Sequence, residues 1–402
     1  MWGTSSPPHP RERVSLPDSP DGEAPRGGVG ESCDKLLGVN EQLAALVRPE
    51  IFDLAAYVPA SPPGIVARLD ANEAPAPRSP KIADAVRRAI AELSLERYPD
   101  ARATRLKAAL AARTGAQAEE LLVGSGSDEV IALLSTALAR PREGAPQATV
   151  LTPIPTFVMY RVTARAHGLK PIEIPLDKNW DLDTTTMARA IELTRPNLVY
   201  IASPNNPTGN RMTPDRLAQV IEAAKESFVV LDEAYVDYAG DSLRAWRAKY
   251  PNLGVLRTLS KIGLAALRVG WLEADAGLVA QIDKARQPFN LSATSQVAAA
   301  AVLEDAWDDA QEHVAEIVRE RVRVAAAITS MAGFEVTPSA ANFLWVKTPR
   351  PAEEVLKILG EHGVLVRSFH ASGGRMATQL RISIGRAGDN DLLLEGLRAC
   401  GT

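Results

Sequence analysis

The chain reads as an α/β protein, with a mostly parallel sheet covered by helices and a smaller α/β lobe after it. Three observations predict this. Short apolar runs, ATVLT (148–152), LVYIA (198–202), FVVLD (228–232) and VLRTL (255–259), recur through the middle of the chain and open or close on turn residues. Amphipathic segments such as DRLAQVIEAAKE separate them, and strands interleaved with helices favour a parallel sheet buried on both faces. Beyond residue 310 the texture shortens to NFLWVK (342–347), PAEEVLKILGEHG (351–363), QLRISI (379–384) and a last helix through Leu397.

In chain order, residues 1–40 include SSPPHPRERVSLPDSPDGEAPRGGVG, rich in Pro, Gly, Ser and charge with few apolar anchors. Such a stretch cannot bury enough surface to offset its ordering entropy, which predicts a disordered extension. Residues 41–80, with prolines at 59, 62 and 63, read as an arm packed on the small lobe or on a neighbouring subunit. The large domain is expected over 81–310. It opens with KIADAVRRAIAEL, whose Ile82, Val86, Ile90 and Leu93 share one helical face. HVAEIVRERVRVAAAITSM, His313 to Met331, predicts a long helix in the small domain, 311–402.

Composition narrows the function classes. At 402 residues, 46% of them apolar and 23% charged, the chain has room for a large core and a soluble surface. A net charge of −4 without any Lys/Arg-rich run argues against nucleic acid as the main partner. No apolar run approaches the ~20 residues of a membrane helix, and no signal segment opens the chain, so a cytoplasmic protein is expected. Cys33 and Cys400 stand at opposite ends, too few and too far apart in the chain for a disulfide framework or zinc cluster. The five histidines (His9, His167, His313, His362, His370) have no metal-ligand spacing.

Four turns carry candidate chemistry. In VGSGSDEVIALLSTAL, a Gly/Ser turn places Ser127 and Asp128 at a helix N-terminus, where unpaired N–H groups and the positive dipole end suit a phosphate. Read alone, an ordinary capped helix is the favoured reading. SPNNPTG (203–209) makes a stiff turn after strand LVYIA, at the sheet edge where ligands bind in open α/β folds. In VVLDEAYVDY, Asp232 ends a strand buried on both faces, so its carboxylate wants a cation such as a protonated ring nitrogen; a helix-capping Asp is the plain alternative. In RTLSKIGLAALRVGW, a strand ends at Ser260 and Lys261, and Arg268 follows a Gly/Ala-rich turn. An enclosed lysine is a usable amine nucleophile and an arginine fork suits a phosphate, although one lysine at a strand end is normally solvated. Together the turns supply a phosphate cradle, a donor to a phenolic oxygen, a pyridinium partner and an amine. Those are the parts a pyridoxal 5'-phosphate site needs.

With these motifs the chain resembles the fold-type I, class II aminotransferases and, within them, the histidinol-phosphate aminotransferase family. The resemblance runs from about Arg48 to the C-terminus and rests on SPNNPTG, LDEAY and TLSK…R in that order, with LDANEAP (69–75) and RYPD (97–100) more particular to the family. It implies a seven-stranded sheet in the large domain. It further implies Lys261 as the Schiff-base lysine and proton carrier, Asp232 on the pyridine nitrogen, Asn206 and Tyr235 on the ring oxygen, and Phe157 stacked on the ring. The Ser127 and Asp128 amides, Ser260 and Arg268 would hold the phosphate. On the substrate side it implies Arg381 as the anion-binding arginine with Arg367 as helper, and Tyr57 and Asn72 nearby. Tyr98 would reach across a homodimer interface. The reaction implied is amino transfer between L-histidinol phosphate and 2-oxoglutarate, giving imidazole acetol phosphate and glutamate. One departure stands out: many relatives have one more residue between the lysine and the phosphate arginine, as in SKAFGLAGLR against SKIGLAALR here. Other enzymes of the same fold, an aromatic aminotransferase or a threonine-phosphate decarboxylase, share the cofactor residues. A non-catalytic cofactor-sensing regulator would need a basic helix-turn-helix, which the Pro-rich first 40 residues do not supply.

Overall fold

The computed structural model of the chain describes residues 40–56, 58 and 62–400. Among the described residues, twelve strands form two sheets. In chain order they are β1 (Ala67–Leu69), β2 (Leu121–Ser125), β3 (Thr149–Ile154), β4 (Lys170–Pro175), β5 (Leu198–Ala202), β6 (Phe228–Asp232), β7 (Leu253–Thr258), β8 (Val269–Glu273), β9 (Glu335–Thr337), β10 (Phe343–Lys347), β11 (Val364–Ser368) and β12 (Gln379–Ser383).

The larger sheet has seven strands in the order β2-β8-β7-β6-β5-β3-β4. All its pairs are parallel except those of β8, which runs against both β7 and β2. Every residue of β5 and β6 is buried, which is why LVYIA and FVVLD are continuous apolar runs and not alternating ones. One face of the sheet packs Tyr200, Val230 and Leu256 against Val130, Ile131 and Leu134 of the helix Ser127–Ala137. The other packs Val199, Ile201 and Leu231 against Leu217 and Ile221 of the helix Pro214–Ala223.

The smaller sheet has the order β1-β11-β12-β10-β9. Its β1 comes from the segment before residue 81 and pairs in parallel with β11, whereas the other pairs are antiparallel. One face of this sheet, with Leu344, Val346, Leu380 and Ile382, packs on Val355 and Leu359 of the helix Ala352–Glu361 and on Leu393 and Leu397 of the last helix. The other face carries Phe343, Trp345 and Arg381.

Two expectations are corrected. The long helix begins six residues earlier than His313, at Trp307, with Asp308 and Asp309 favouring its first turn, and runs to Thr329. The helix Pro80–Ala91 is capped by the Ser79 side chain and buries Ile82 and Ala85, but it ends before Leu93, and Ile90 is 39% exposed. The face predicted over Ile82–Leu93 therefore leaves the core in its second half, where it adjoins the exposed Leu95 and Tyr98. No helix among the described residues is long and apolar enough to cross a membrane.

Candidate active site

Parallel strands in register end along one edge. Ala202 of β5 stands beside Asp232 of β6, and Asp232 beside Leu256 of β7. The turns that follow, at Ser203–Gly209, Glu233–Tyr235 and Ser260–Ile262, therefore meet there, and the predicted Asn206, Tyr235, Ser260 and Lys261 lie on them.

Asp232 is 5% exposed. Burial pushes its carboxyl above the usual carboxylate range, since the charged form loses its hydration. The Tyr160 hydroxyl, donating to Oδ2 at 2.5 Å, and the Ala234 N–H, donating to Oδ1 at 2.9 Å, pull the other way, as does the charge of Lys261. Burial, with Asp232 alongside, drives the Tyr160 hydroxyl well above its ordinary value, so it remains a donor. Its ring is stacked on Tyr200, centroids 4.7 Å apart, and Phe157 meets it edge-on at 5.6 Å.

Lys261 sits in the short turn Ser260–Ile262, which Gly263 ends at φ +90°. The Tyr238 hydroxyl donates to the Lys261 carbonyl at 2.5 Å, and the lysine Nζ lies 5.8 Å from the Tyr235 ring centroid. Ser260 is buried, its N–H and Oγ both held by the Thr258 hydroxyl.

At the other end, Ser127 and Asp128 open the helix Ser127–Ala137. Arg268 adopts left-handed φ (+51°), accepts the Gly126 N–H on its carbonyl at 2.8 Å and places its guanidinium 3.3 Å from the Asp128 carboxylate. Two glycines make this approach possible. A Cβ on Gly126 would meet the Arg268 guanidinium at 2.5 Å, and one on Gly270 would meet the Ser127 nitrogen at 2.3 Å. A helix N-terminus, an arginine and a floor kept free of side chains make a cradle of the right chemistry for a phosphate.

The residues expected on the substrate side are joined to these. The Asn72 amide donates to the Tyr235 hydroxyl at 2.9 Å, which leaves that hydroxyl's own hydrogen to be donated outward. Asn72, itself in left-handed φ (+55°), is held by Ser383 Oγ on its N–H at 2.9 Å and by the Asn342 amide on its carbonyl at 3.0 Å. Arg381 donates to Asn206 Oδ1 at 2.7 Å and to the Asp70 carbonyl at 2.5 Å, and Arg367 is its neighbour across the β11–β12 pair. The two asparagines of SPNNPTG separate by role. Asn205 is spent on Thr208 within the turn and on Thr156 and the Pro155 carbonyl after β3, while Asn206 faces Arg381.

The structure thus brings Asp232, Lys261 and Tyr235 together, and Asn72, Asn206 and Arg381 with them. Ser127, Asp128 and Arg268 meet at the start of the helix Ser127–Ala137. Tyr98 is 81% exposed and stacks on Phe289 at 4.6 Å. Tyr57 lies outside the described residues. Sequence reasoning missed Tyr160, Gly270 and the Ser383–Asn342 lock on Asn72. The first had a signal, a tyrosine three residues after Phe157; the others depend on which strand returns beside which.

The geometry has counterparts. A family model described as aminotransferase class I and II matches residues 65–399. A histidinol-phosphate aminotransferase of Aquifex aeolicus is 38% identical over 352 residues, 88% of this chain and 97% of the relative. One of Paracidovorax citrulli is 38% identical over 361 residues, 88% of this chain and 96% of the relative. Among solved structures, histidinol-phosphate aminotransferase from Sinorhizobium meliloti in complex with pyridoxal-5'-phosphate superposes with a TM-score of 0.77 at 26% identity, over 88% of this chain and 97% of that one.

Proposed function

The chain belongs to the class I and II aminotransferase family, and from that premise we propose the following division of labour for its reaction. It is a pyridoxal 5'-phosphate-dependent aminotransferase that moves an amino group between L-histidinol phosphate and 2-oxoglutarate, yielding imidazole acetol phosphate and L-glutamate, a step of histidine biosynthesis. The substrate assignment rests on relatives that carry this name at 38% identity over nearly their whole length. The cofactor assignment is carried by the buried Asp232, whose desolvated carboxylate would be compensated by a cationic ring nitrogen, one strand from an amine on the next turn.

The Ser127 and Asp128 N–H groups, Ser260 and Arg268 would hold the cofactor phosphate, and Phe157 would cover the ring. Asn206 and the outward hydrogen of Tyr235 would bond the ring oxygen. Asp232 would bond the ring nitrogen and keep it protonated. Bound pyridoxal phosphate supplies an electron sink for the pair left when the substrate α-carbon loses its proton. Lys261 Nζ takes that proton as general base. Arg381 binds the anionic end of either substrate, with Arg367 as helper, and Tyr57 and Asn72 line the substrate side. Because Asn72 orients Tyr235 and Asn206 orients Arg381, the grip on the substrate and the grip on the ring oxygen share one hydrogen-bonded frame.

The active unit is a homodimer in which Tyr98 reaches the neighbouring site. In support, Tyr98 and Leu95 are over 80% exposed beside the half-exposed Phe289, an apolar patch a second copy would cover. The reaction runs in the cytoplasm, with the arm at 41–80, the large domain at 81–310 and the small domain at 311–402. β1 of the arm, hydrogen-bonded to β11, supports the arm's packing on the small lobe. The proposed disordered extension, apart from its last residue, lies outside the described residues.

The test is the absorbance spectrum of the purified protein. A band at about 420 nm should move to about 330 nm with L-histidinol phosphate and return with 2-oxoglutarate. A band that only other amino donors shift would keep the aminotransferase and lose the substrate. No band after reconstitution with cofactor would overturn the reading.

A further inference from the structure

The contact between Arg381 and Asn206 joins the two lobes, and a second contact joins them beside it. Arg375, in the short turn Gly374–Met376 between β11 and β12, lies over the Trp180 ring with its guanidinium carbon 3.7 Å from the centroid. The same guanidinium donates to the Asp177 carbonyl at 2.7 Å and the Leu176 carbonyl at 3.0 Å. Leu176, Asp177 and Trp180 belong to the loop after β4, in the large sheet's half of the molecule. Trp180 holds left-handed φ (+63°), a conformation a bulky residue adopts only when its surroundings enforce it.

From Trp180 the contacts close a ring. Its indole meets Trp345 edge-on, centroids 5.7 Å apart. Trp345 stands directly opposite Arg381 in the β10–β12 pair. Arg381 bonds Asn206. The Asn206 turn returns through Asn210, whose amide donates to the Trp180 carbonyl at 3.0 Å and whose own carbonyl accepts the Asn205 N–H at 2.9 Å. Both partners of the Arg381–Asn206 bond are therefore tied to Trp180, one through the small sheet and one through the turn after β5.

We propose that Arg375 and Trp180 form an interlobe clasp that positions Arg381 against Asn206, and so sets affinity for the anionic end of both substrates from outside the reacting centre. This rests on the reading of Arg381 as the substrate-anion arginine. Arg375 is a positioning residue: planar stacking and a two-carbonyl fork are what a guanidinium provides and an ammonium does not. The clasp acts on binding, since Lys261 and Asp232 stand on other turns and keep their places without it.

The experiment compares Arg375→Ala, Arg375→Lys and Trp180→Leu with the unmodified holoenzyme. The expected result is a rise in KM of about 5- to 10-fold for both L-histidinol phosphate and 2-oxoglutarate, kcat within about 2-fold, and an intermediate value for Arg375→Lys. The dissociation constant of 2-oxoglutarate should rise by the same factor in a cofactor-band titration without amino donor. A purely structural role would lower the melting temperature and kcat together without this split, and that outcome, or unchanged KM values in both Arg375 variants, overturns the clasp. Acrylamide quenching of tryptophan fluorescence separates this from the aminotransferase reading. Arg375→Ala should raise quenching in the wild-type background and not in a Trp180→Phe background, whether or not any substrate turns over. Equal quenching in both backgrounds overturns the clasp by itself, while an absent cofactor band in the unmodified protein overturns the function and leaves the quenching result to judge the clasp.

Discussion

The two ends of the site around Lys261 are built on opposite terms. At the Asp232 end, burial is nearly complete and each carboxylate oxygen has a donor, from Tyr160 and from the Ala234 backbone. At the Ser127 end, the charged pair Arg268–Asp128 is half exposed, Gly126 holds φ +80° beneath the Arg268 guanidinium, and a Cβ on Gly270 would meet the Ser127 backbone nitrogen at 2.3 Å. The deep end works by electrostatics in a dry environment, where a charge must have a partner. The shallow end is set by sterics, with β8 pressed close against the first residue of the helix Ser127–Ala137. Substitutions at the two ends should therefore fail differently.

The largest effect is expected between them. Lys261→Ala should bind cofactor without the band at about 420 nm and lose turnover by about 10⁴-fold in steady-state assays. Asp232→Asn should split stability from function. A charge-assisted hydrogen bond of about 3 kcal/mol corresponds to about 100-fold in rate, so turnover should fall by that factor. The cofactor-free protein should gain stability. Because burial raises the folded-state pKa of Asp232, the folded apoprotein binds more protons than the unfolded chain above the ordinary carboxylate value, and stability is lost as pH rises through the folded value. Asparagine does not titrate. Melting curves of the two apoproteins should thus diverge in favour of Asp232→Asn near neutral pH and converge toward pH ~4.

Gly270→Ala breaks the shallow end instead. Its Cβ would stand 2.3 Å from a backbone nitrogen, so β8 and the helix N-terminus must part, at about 1–3 kcal/mol by chemical denaturation, together with weaker cofactor binding. Tyr160→Phe is the mildest. Removing one donor from the Asp232 carboxylate should cost about 1–3 kcal/mol of apoprotein stability at neutral pH, and less once cofactor is bound, because its ring nitrogen would supply a cationic donor in addition to the neutral ones. An equal loss with and without cofactor would refute the pairing of Asp232 with the ring nitrogen.

What could be read from the chain follows from how local the cause is. β5 and β6 were legible to the residue, because a strand buried on both faces must be an unbroken apolar run. The turns after β5, β6 and β7 were legible because their Pro, Asn, Asp and Lys sit where strands end. β4 was missed: KPIEIP is an edge strand with two prolines and exposed positions, so it lacks an apolar signature. β8 was hidden in the tail of the lysine motif, and its reversed direction is a fact about neighbours. Tyr160 reads as an ordinary core aromatic until Asp232 is placed 72 residues away. The Asn72 lock needs Asn342 and Ser383, about 270 and 311 positions distant. The face of the helix Pro80–Ala91 was misjudged because apolar spacing records that a surface is covered, and does not say by which chain.

The reversed strand also makes the turn between β7 and β8 a ruler. Thr258 and Gly270 are paired neighbours, so the segment from Leu259 to Arg268 leaves the sheet and returns at a fixed place. The amine of Lys261 hangs near its start and the guanidinium of Arg268 near its end. A residue added or removed there cannot be absorbed by sliding the strands, because Gly270 is the only kind of residue that fits against Ser127. The change must appear as a different path for the loop itself. In this chain the number of residues between the lysine and the arginine is heritable information in its own right, and a library that varied loop length at constant composition would read it directly in the cofactor's spectrum.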